Sequence, residues 1–405
     1  MKILVINSGS SSIKFKLLEM ETEAQLAEGL IERIGLEEGR TTYKTGGRKI
    51  VIEEPVPDHT HGLRFLLDIL TSREHGAVLE SLEEISAIGH RVVHGGERFT
   101  TSVLIDESVI REVEECSFMA PLHNPPNLLG IRAAMEALPG VPNVAVFDTA
   151  FHQTMPPVSY IYALPYEIFR DKRMRRFGFH GPSHQYVAHR AAQMLDRPIE
   201  SLCMITCHLG NGSSLTAVKN GRSYDTSLGY GTACGLVMGT RSGDVDPAVL
   251  IDLMENHGFS LAQVKDMIYK QSGVKGISGI SSDQRDVEDA AAKGSERAEL
   301  ALELFASSVR KYIGAYAVTM GTLDAIVFTA GVGENGPHMR ERICRGLEIL
   351  GVSIDPGRNA VRGEERDITA DGARVRVLVI PTNEELLIAR ETLWLTDGSM
   401  EREQS

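Results

Sequence analysis

Three stretches of this chain place glycine, asparagine and serine directly after an apolar run, a pattern suited to holding an anion. The first is VINSGSSSIKF, from Val5 to Phe15. Lys2–Ile6 reads as a strand, residues 7–12 as a tight polar loop, and the alternation Ile13–Phe15–Leu17 as a second strand. Gly9 reaches backbone angles that other residues avoid. The loop N–H groups and the hydroxyls of Ser10 and Ser12 can then converge on one phosphate, with Lys14 adding a point charge. This is not a Walker A loop, which needs G-x-x-x-x-G-K-[ST] opening a helix. A serine-rich hairpin turn accounts for the same residues. The second stretch, LCMITCHLGNGSSLTAVKNG, echoes the first: apolar strand, Gly/Asn/Ser loop with paired serines, then an alternating strand containing lysine. The third, FTAGVGENGPHMRE, reads as a strand, a turn made by Gly331 and Gly333, and a helix starting near Pro337. Two facing clamps and a third strand-end loop suit a nucleoside polyphosphate, and hence phosphoryl transfer.

Other charged residues stand at predicted strand ends or in Gly-flanked loops. Arg91 lies in GHRVVHGGERF and Arg241 in MGTRSGDVDP, both beside glycines. The arginine fork matches phosphate and carboxylate oxygens. Asp148 ends NVAVFD and Glu384 follows VRVLVIP, placing acids at the sheet rim where ligands bind in α/β proteins. Such acids hold Mg2+ directly or through water, although helix capping explains each equally well. His180, in FGFHGPSH, has glycines on both sides and room to donate to a developing phosphoryl charge. His208, in CHLGNG, is similar. Asp283 and Arg285 in SSDQRD either face a nucleotide or cap a helix.

The elements that must position these residues alternate. Strands are predicted at Ile3–Ile6, Ile88–Val93, Val144–Phe147, Leu202–Thr206, Ala325–Thr329 and Val375–Ile380. Helices are predicted at Ser108–Glu115, His184–Leu195 and Arg297–Met320. This is an α/β pattern. A chain of 405 residues exceeds one ordinary core, so two domains are expected, with Met155–Pro157 as a candidate crossing point. A net charge of −13 argues against a general nucleic-acid binder. No apolar run is long enough to span a membrane, and the first residues enter a strand without a signal-peptide pattern. Five sparsely spaced cysteines argue against a disulfide framework and fit a reducing cytoplasm.

The segments VINSGSSSIKF, HRVVHGG, APLHNPPN, VFDTAFHQTMP, RRFGFHGPSH, HLGNGSS, MGTRSGDVDP, FTAGVGEN and NEEL, in that order, resemble the acetate kinases of the acetate and sugar kinase, Hsp70 and actin superfamily. The resemblance covers nearly the whole chain. It implies two duplicated actin-like (ribonuclease H-like) α/β domains with an active-site cleft between them. The first would be 1–150 plus 385–405, and the second 151–384, carrying most of the ATP site. It implies ATP-dependent phosphorylation of acetate, with Mg2+ or Mn2+ as the metal, in a cytoplasmic homodimer that engages neither nucleic acid nor membrane. Asn7 and Glu384 would hold the metal, and Lys14, Ser10 and Ser12 the ATP phosphates. Arg91 would bind the acceptor carboxylate, with Val93, Leu122 and Phe179 around its apolar end. Asp148, His180 and Arg241 would be catalytic. The ATP site would be lined by His208, Leu209, Gly210, Asn211 and Gly212, by Asp283, Gln284 and Arg285, and by Gly331, Val332, Gly333, Glu334 and Asn335.

Two departures from the family pattern stand out. Thr232, in GYGTACGL, replaces a proline that lines the acetyl methyl pocket, and Gln284 replaces an apolar residue near adenosine. The first opens a propionate or broader short-chain carboxylate kinase as the alternative. A nucleotide-driven switch of the actin or Hsp70 kind is the remote one, and it leaves the arginine pair unexplained.

Overall fold

The computed structural model describes residues 1–398. The chain separates into two compact units, Met1–Phe151 with Asn383–Ser405, and His152–Thr382. Residues 399–405 of the expected return segment lie outside the described residues.

The first unit is built on an eight-stranded sheet. Its strands are β1 (Lys2–Ser8), β2 (Ser12–Glu19), β3 (Ala24–Glu32), β4 (Arg40–Thr45), β5 (Arg48–Glu53), β6 (Ile85–Val92), β7 (Val103–Leu104) and β8 (Asn143–Phe147). Their order is β5-β4-β3-β2-β1-β6-β8-β7. β1 is a continuous apolar run because both its faces are covered: Ile3–Ile6 are buried throughout. It pairs antiparallel with β2 and parallel with β6. The first clamp is shorter than the sequence suggests. Pairing continues through Asn7 opposite Lys14 and Ser8 opposite Ile13, leaving only Gly9–Ser11 as loop. That turn is closed by Gly9 N–H donating to the Ser12 carbonyl at 2.8 Å.

The helix Glu384–Thr396 belongs to this unit, burying Leu386, Leu387, Ile388 and Ala389 against β6 and β1. Glu384 is therefore part of the first unit, not of the second as expected from the sequence. Gly89 in β6 makes this docking possible: a Cβ there would sit 2.5 Å from Thr392 Oγ1 and 2.7 Å from Ile388 Cγ2. The chain leaves the first unit after Phe151, ahead of Met155–Pro157.

The second unit has six strands: β9 (Cys203–Leu209), β10 (Ser213–Lys219), β11 (Arg222–Thr226), β12 (Ala325–Thr329), β13 (Arg366–Asp367) and β14 (Arg376–Val379), in the order β11-β10-β9-β12-β14-β13. The series β11-β10-β9-β12-β14 repeats β3-β2-β1-β6-β8, antiparallel through its first three strands and parallel thereafter. The duplicated actin-like α/β arrangement is thus written in the topology of each sheet. The 25-residue helix Glu296–Met320 covers one face with a stripe at helical spacing that includes Leu302, Phe305, Val309, Ile313 and Met320.

The third loop differs from expectation. The turn after β12 is taken by Ala330, at φ +63°, while Gly331 and Gly333 lie in the short helix Ala330–Asn335. The Glu334 carboxylate stabilises that turn by accepting from Ala330 N at 2.7 Å. The helix at Pro337 is present, as Pro337–Cys344.

Candidate active site

The first unit concentrates charge where β6 and β8 end side by side. Parallel pairing sets Arg91 opposite Val146 and Val92 opposite Phe147, so Asp148 emerges next to Arg91. Arg91 Nε and Nη2 donate to Asp148 Oδ1 and Oδ2 at 2.7 and 2.8 Å, a bidentate pair. Arg91 Nη1 lies 3.2 Å from Glu384 Oε2. Burial opposes charge on Arg91, but Asp148 and Glu384 outweigh it and hold its pKa above the usual arginine value. Burial also pushes the Glu384 carboxyl up, against the pull of Arg91, and Asp148 and Glu385 reinforce the rise. Lys14 is exposed and ion-paired with Glu385, which also lies 3.5 Å from Lys16 Nζ. Burial acts to raise Glu385, yet the two lysines lower it overall.

Asn7, next to last in β1, is half-buried, Ser10 is exposed and Ser12 half-buried. The Gly9 carbonyl lies 2.7 Å from His59 Nε2, and the Ser8 carbonyl accepts from Asn127 Nδ2 at 2.7 Å, so the loop is held from behind. Val93 is half-buried, while Leu122 is 64% exposed. Among the described residues, no group of three or more His, Cys, Asp or Glu side chains is arranged to hold a metal.

The second unit gathers His180, His208, Gly212 and Arg241. His180 caps the helix Gly181–Met194 in a left-handed conformation (φ +58°), and Gly178 just before it is at φ +76°. These two reversals aim the ring back toward the β9–β10 hairpin. Its Nδ1 lies 2.9 Å from Ser214 Oγ, and the ring stacks on His208 at 4.2 Å. Leu209 is buried at the end of β9. Gly210–Gly212 form the whole loop, closed by Ser213 Oγ donating to the Gly210 carbonyl at 2.9 Å. A Cβ on Gly212 would lie 3.6 Å from Arg241 Nη1 and 3.7 Å from His180 Nε2. The space over this glycine is therefore walled by a guanidinium and an imidazole. Asn211 is pressed against Gly239, where a Cβ would meet its Oδ1 at 2.0 Å.

Arg241 is half-buried, donates to the Thr232 carbonyl at 3.1 Å, and among the described residues has no carboxylate within ion-pair distance. Burial lowers its pKa, with only Tyr269 acting in the other direction.

Other expected residues serve the fold more visibly. Asp283 caps the helix Gln284–Ala292, and its hydrogen bonds with Arg285 bring its pKa down to about 2. Gln284 Nε2 donates to Glu288 at 3.2 Å. Glu334 Oε1 also accepts from Thr382 N at 2.9 Å, so this carboxylate clasps its own loop. Gly331 has open space at its Cβ position, Val332 packs on the core, and Asn335 donates to the Gly331 carbonyl. Phe179 is buried, its carbonyl 2.9 Å from His152 Nε2. Sequence reading passed over Ser214, Ser183 and Thr206, the hydroxyls behind the histidines. Continuing the hairpin pairing across HLGNGSS would have found the first, since Ser214 lies directly opposite His208.

The sequence model of the acetokinase family matches residues 2–390. This chain belongs to the acetokinase family. It is 56% identical over 400 residues to the acetate kinase of Caldanaerobacter subterraneus subsp. tengcongensis, covering 98% of this chain and 100% of that protein. It is 56% identical over 395 residues to the acetate kinase of Thermotoga maritima, covering 97% and 98%. Among solved structures it is similar to Porphyromonas gingivalis acetate kinase, with a TM-score of 0.93, 48% identity and coverage of 97% and 99%. It is also similar to a propionate kinase from Francisella tularensis, with a TM-score of 0.90, 43% identity and coverage of 96% and 98%.

Proposed function

We propose that this acetokinase transfers the γ-phosphoryl group of ATP reversibly to acetate, giving acetyl phosphate and ADP by direct in-line transfer. The observation that carries the reading is the space over Gly212, flanked by the His180 ring and an Arg241 that has no carboxylate partner. A half-buried cation beside a hydrogen-bond donor is arranged for charge that arrives with a ligand. A phosphoryl group in transfer brings that charge on its equatorial oxygens. Gly210–Gly212 and the Ala330–Asn335 turn would hold the nucleotide, with the Gly9–Ser11 loop and Lys14 on its phosphates.

Acetate needs no general base, because a carboxylate with a reference pKa of about 4 is already an ionised nucleophile at neutral pH. Asp148 is accordingly a positioning residue. Its bidentate bond fixes the Arg91 plane and leaves N–H groups on the terminal nitrogens for the acceptor carboxylate. Asn7 and Glu384 offer hard oxygen donors, and two such ligands completed by phosphate and water are what Mg2+ accepts. The bound ion would neutralise phosphate charge. The residues on the chain bind and orient the acceptor (Arg91) and stabilise the transferring group (His180, Arg241).

Thr232 favours a wider acceptor range. One methylene is worth about 1–3 kcal/mol in an apolar pocket, so propionate is expected as a slower substrate. The enzyme is read as a cytoplasmic homodimer. The helix Pro247–Glu255, PAVLIDLME, has no buried residue and exposes Val249, Ile251 and Met254 around its circumference, apolar surface suited to a second copy. No helix among the described residues is long and apolar enough to cross a membrane. The test is hydroxylamine trapping of acyl phosphate from ATP with acetate, propionate or butyrate. Acyl hydroxamate with acetate foremost is expected, and its absence with all three refutes the reading.

A further inference from the structure

We propose that a buried chain of hydrogen bonds, Thr206–His184–Ser214–His180, fixes His180 as a neutral imidazole with its proton on Nε2. It would then donate to a phosphoryl oxygen without carrying a charge of its own. The proposal rests on the phosphoryl-transfer reading above and adds to it the protonation state of the donor and the residues that set it.

The links are short: Thr206 Oγ1 to His184 Nδ1 at 2.7 Å, His184 Nε2 to Ser214 Oγ at 2.7 Å, and Ser214 Oγ to His180 Nδ1 at 2.9 Å. All these residues except His180 are fully buried. A neutral imidazole has one N–H and one lone pair, and a hydroxyl has one proton to give. A buried hydroxyl must also place its proton, and among the described residues Ser214 Oγ is bonded only to the two imidazoles, so the choice at the start of the chain sets the later links. If Thr206 donates to His184 Nδ1, the His184 proton sits on Nε2 and points to Ser214. The Ser214 proton then goes to His180 Nδ1, and the proton of His180 is left on Nε2. The opposite direction requires Thr206 to donate to the Thr216 carbonyl, which is 3.4 Å away, beyond the usual 2.5–3.0 Å or so for O–H···O. It would also turn a lone pair of His180 Nε2 toward the space over Gly212.

His184 does not carry charge into this chain. Its burial, followed by the neighbouring His152 and His208, holds its pKa well below the ordinary histidine value. The titratable and charged groups facing the His180 ring include His184, His208 and, across Gly212, Arg241. A donor that stays neutral avoids placing a second cation beside that guanidinium. The stacked partner is set in the same way. Thr382 Oγ1 donates to Ser183 Oγ at 2.8 Å, which leaves the Ser183 proton for His208 Nδ1 at 2.7 Å and the proton of His208 on Nε2. Two hydroxyl relays thus impose one tautomer on both rings of the stack. A carboxylate in place of either serine would accept from Nδ1 and impose the other.

The test is 15N NMR of the full chain labelled at histidine, with His180 assigned through His180→Gln. An unprotonated Nδ1 and a protonated Nε2 are expected in the ligand-free protein, and a protonated Nδ1 overturns the proposal whatever the variants do. Ser214→Ala is expected to lower kcat about tenfold or more, the scale for losing a group that orients a functional histidine. Substrate KM values should stay within about twofold of the wild type. The kcat of this variant should recover toward acid pH, because an imidazolium carries an Nε2 proton regardless of tautomer. A Ser214→Ala enzyme with the wild-type kcat and pH profile also overturns it. Failure of the wild type to form acyl phosphate sinks the phosphoryl-transfer reading and leaves the tautomer measurement standing.

Discussion

Arg91 and Arg241 are both half-buried and both lie among glycines, the first near the end of β6 and the second in the irregular stretch between β11 and the helix Pro247–Glu255, yet they are electrostatic opposites. Arg91 is gripped on one edge by Asp148 and approached on another by Glu384. Arg241 has a backbone carbonyl and a thioether as its polar contacts. A guanidinium already neutralised by two acids orients a ligand without adding net charge. One lacking a carboxylate supplies net positive charge where an anion arrives. The first suits an acceptor held in one plane, and the second suits charge that builds during reaction.

The largest way to break this contrast is Asp148→Ala. Removing one partner from a buried ion pair typically costs about 3–5 kcal/mol, so unfolding in urea should show a loss on that scale together with lost activity. A loss below about 1 kcal/mol would mean that Arg91 is not held as described. Arg241→Ala should do the reverse. With no ion pair to break, its unfolding free energy stays within about 1 kcal/mol of the wild type, while kcat falls about a hundredfold or more, near 2.7 kcal/mol in the barrier.

Gly212→Ala probes the space itself. The new methyl meets Arg241 and His180 at ordinary contact distances and the backbone there is not left-handed, so the melting temperature should hold. Phosphoryl transfer should drop about tenfold, since the methyl stands where an anion is proposed to sit. Full activity in this variant would place the anion elsewhere.

The smallest effect concerns Glu384. Its pKa is raised in the folded state, so the folded protein retains a proton that the unfolded chain releases, and stability falls as pH rises above the ordinary carboxylate value. The slope is at most about 1.4 kcal/mol per pH unit. Glu384→Gln should remove it, leaving a flatter stability profile. An unchanged slope in thermal unfolding between pH 4 and 8 would assign it to another group.

The central strands were legible because their apolar runs are unbroken, and β12 runs over Ala325–Thr329 as its sequence suggests. β4 and β5 were not, since their outward faces dilute the pattern: in RKIVIE no residue is buried. The loops after β1, β9 and β12 were legible in composition, but their conformations were not. Ala330, rather than either neighbouring glycine, takes the left-handed turn, where Glu334 accepts from its N–H and is itself held by Thr382, a position that no local window includes. The Arg91–Asp148 bond was hidden for a similar reason. It depends on which strands are neighbours in the sheet, and that is fixed by the whole core rather than by either segment.

The helix Glu384–Thr396, seated on β6 over Gly89, also bears on the order of synthesis. Ribosomes deliver a chain from its N-terminus, and domains generally fold as units as they emerge. Here the unit that begins first is completed last, because its closing helix is translated only after the entire second unit, which is one uninterrupted stretch. A nascent chain halted anywhere within residues 152–382 has β1 and β6 uncovered on one face and Arg91 without Glu384. The cluster of Arg91, Asp148 and Glu384 is thus assembled only after the whole second unit has been made, and fragments stalled before that point lack it.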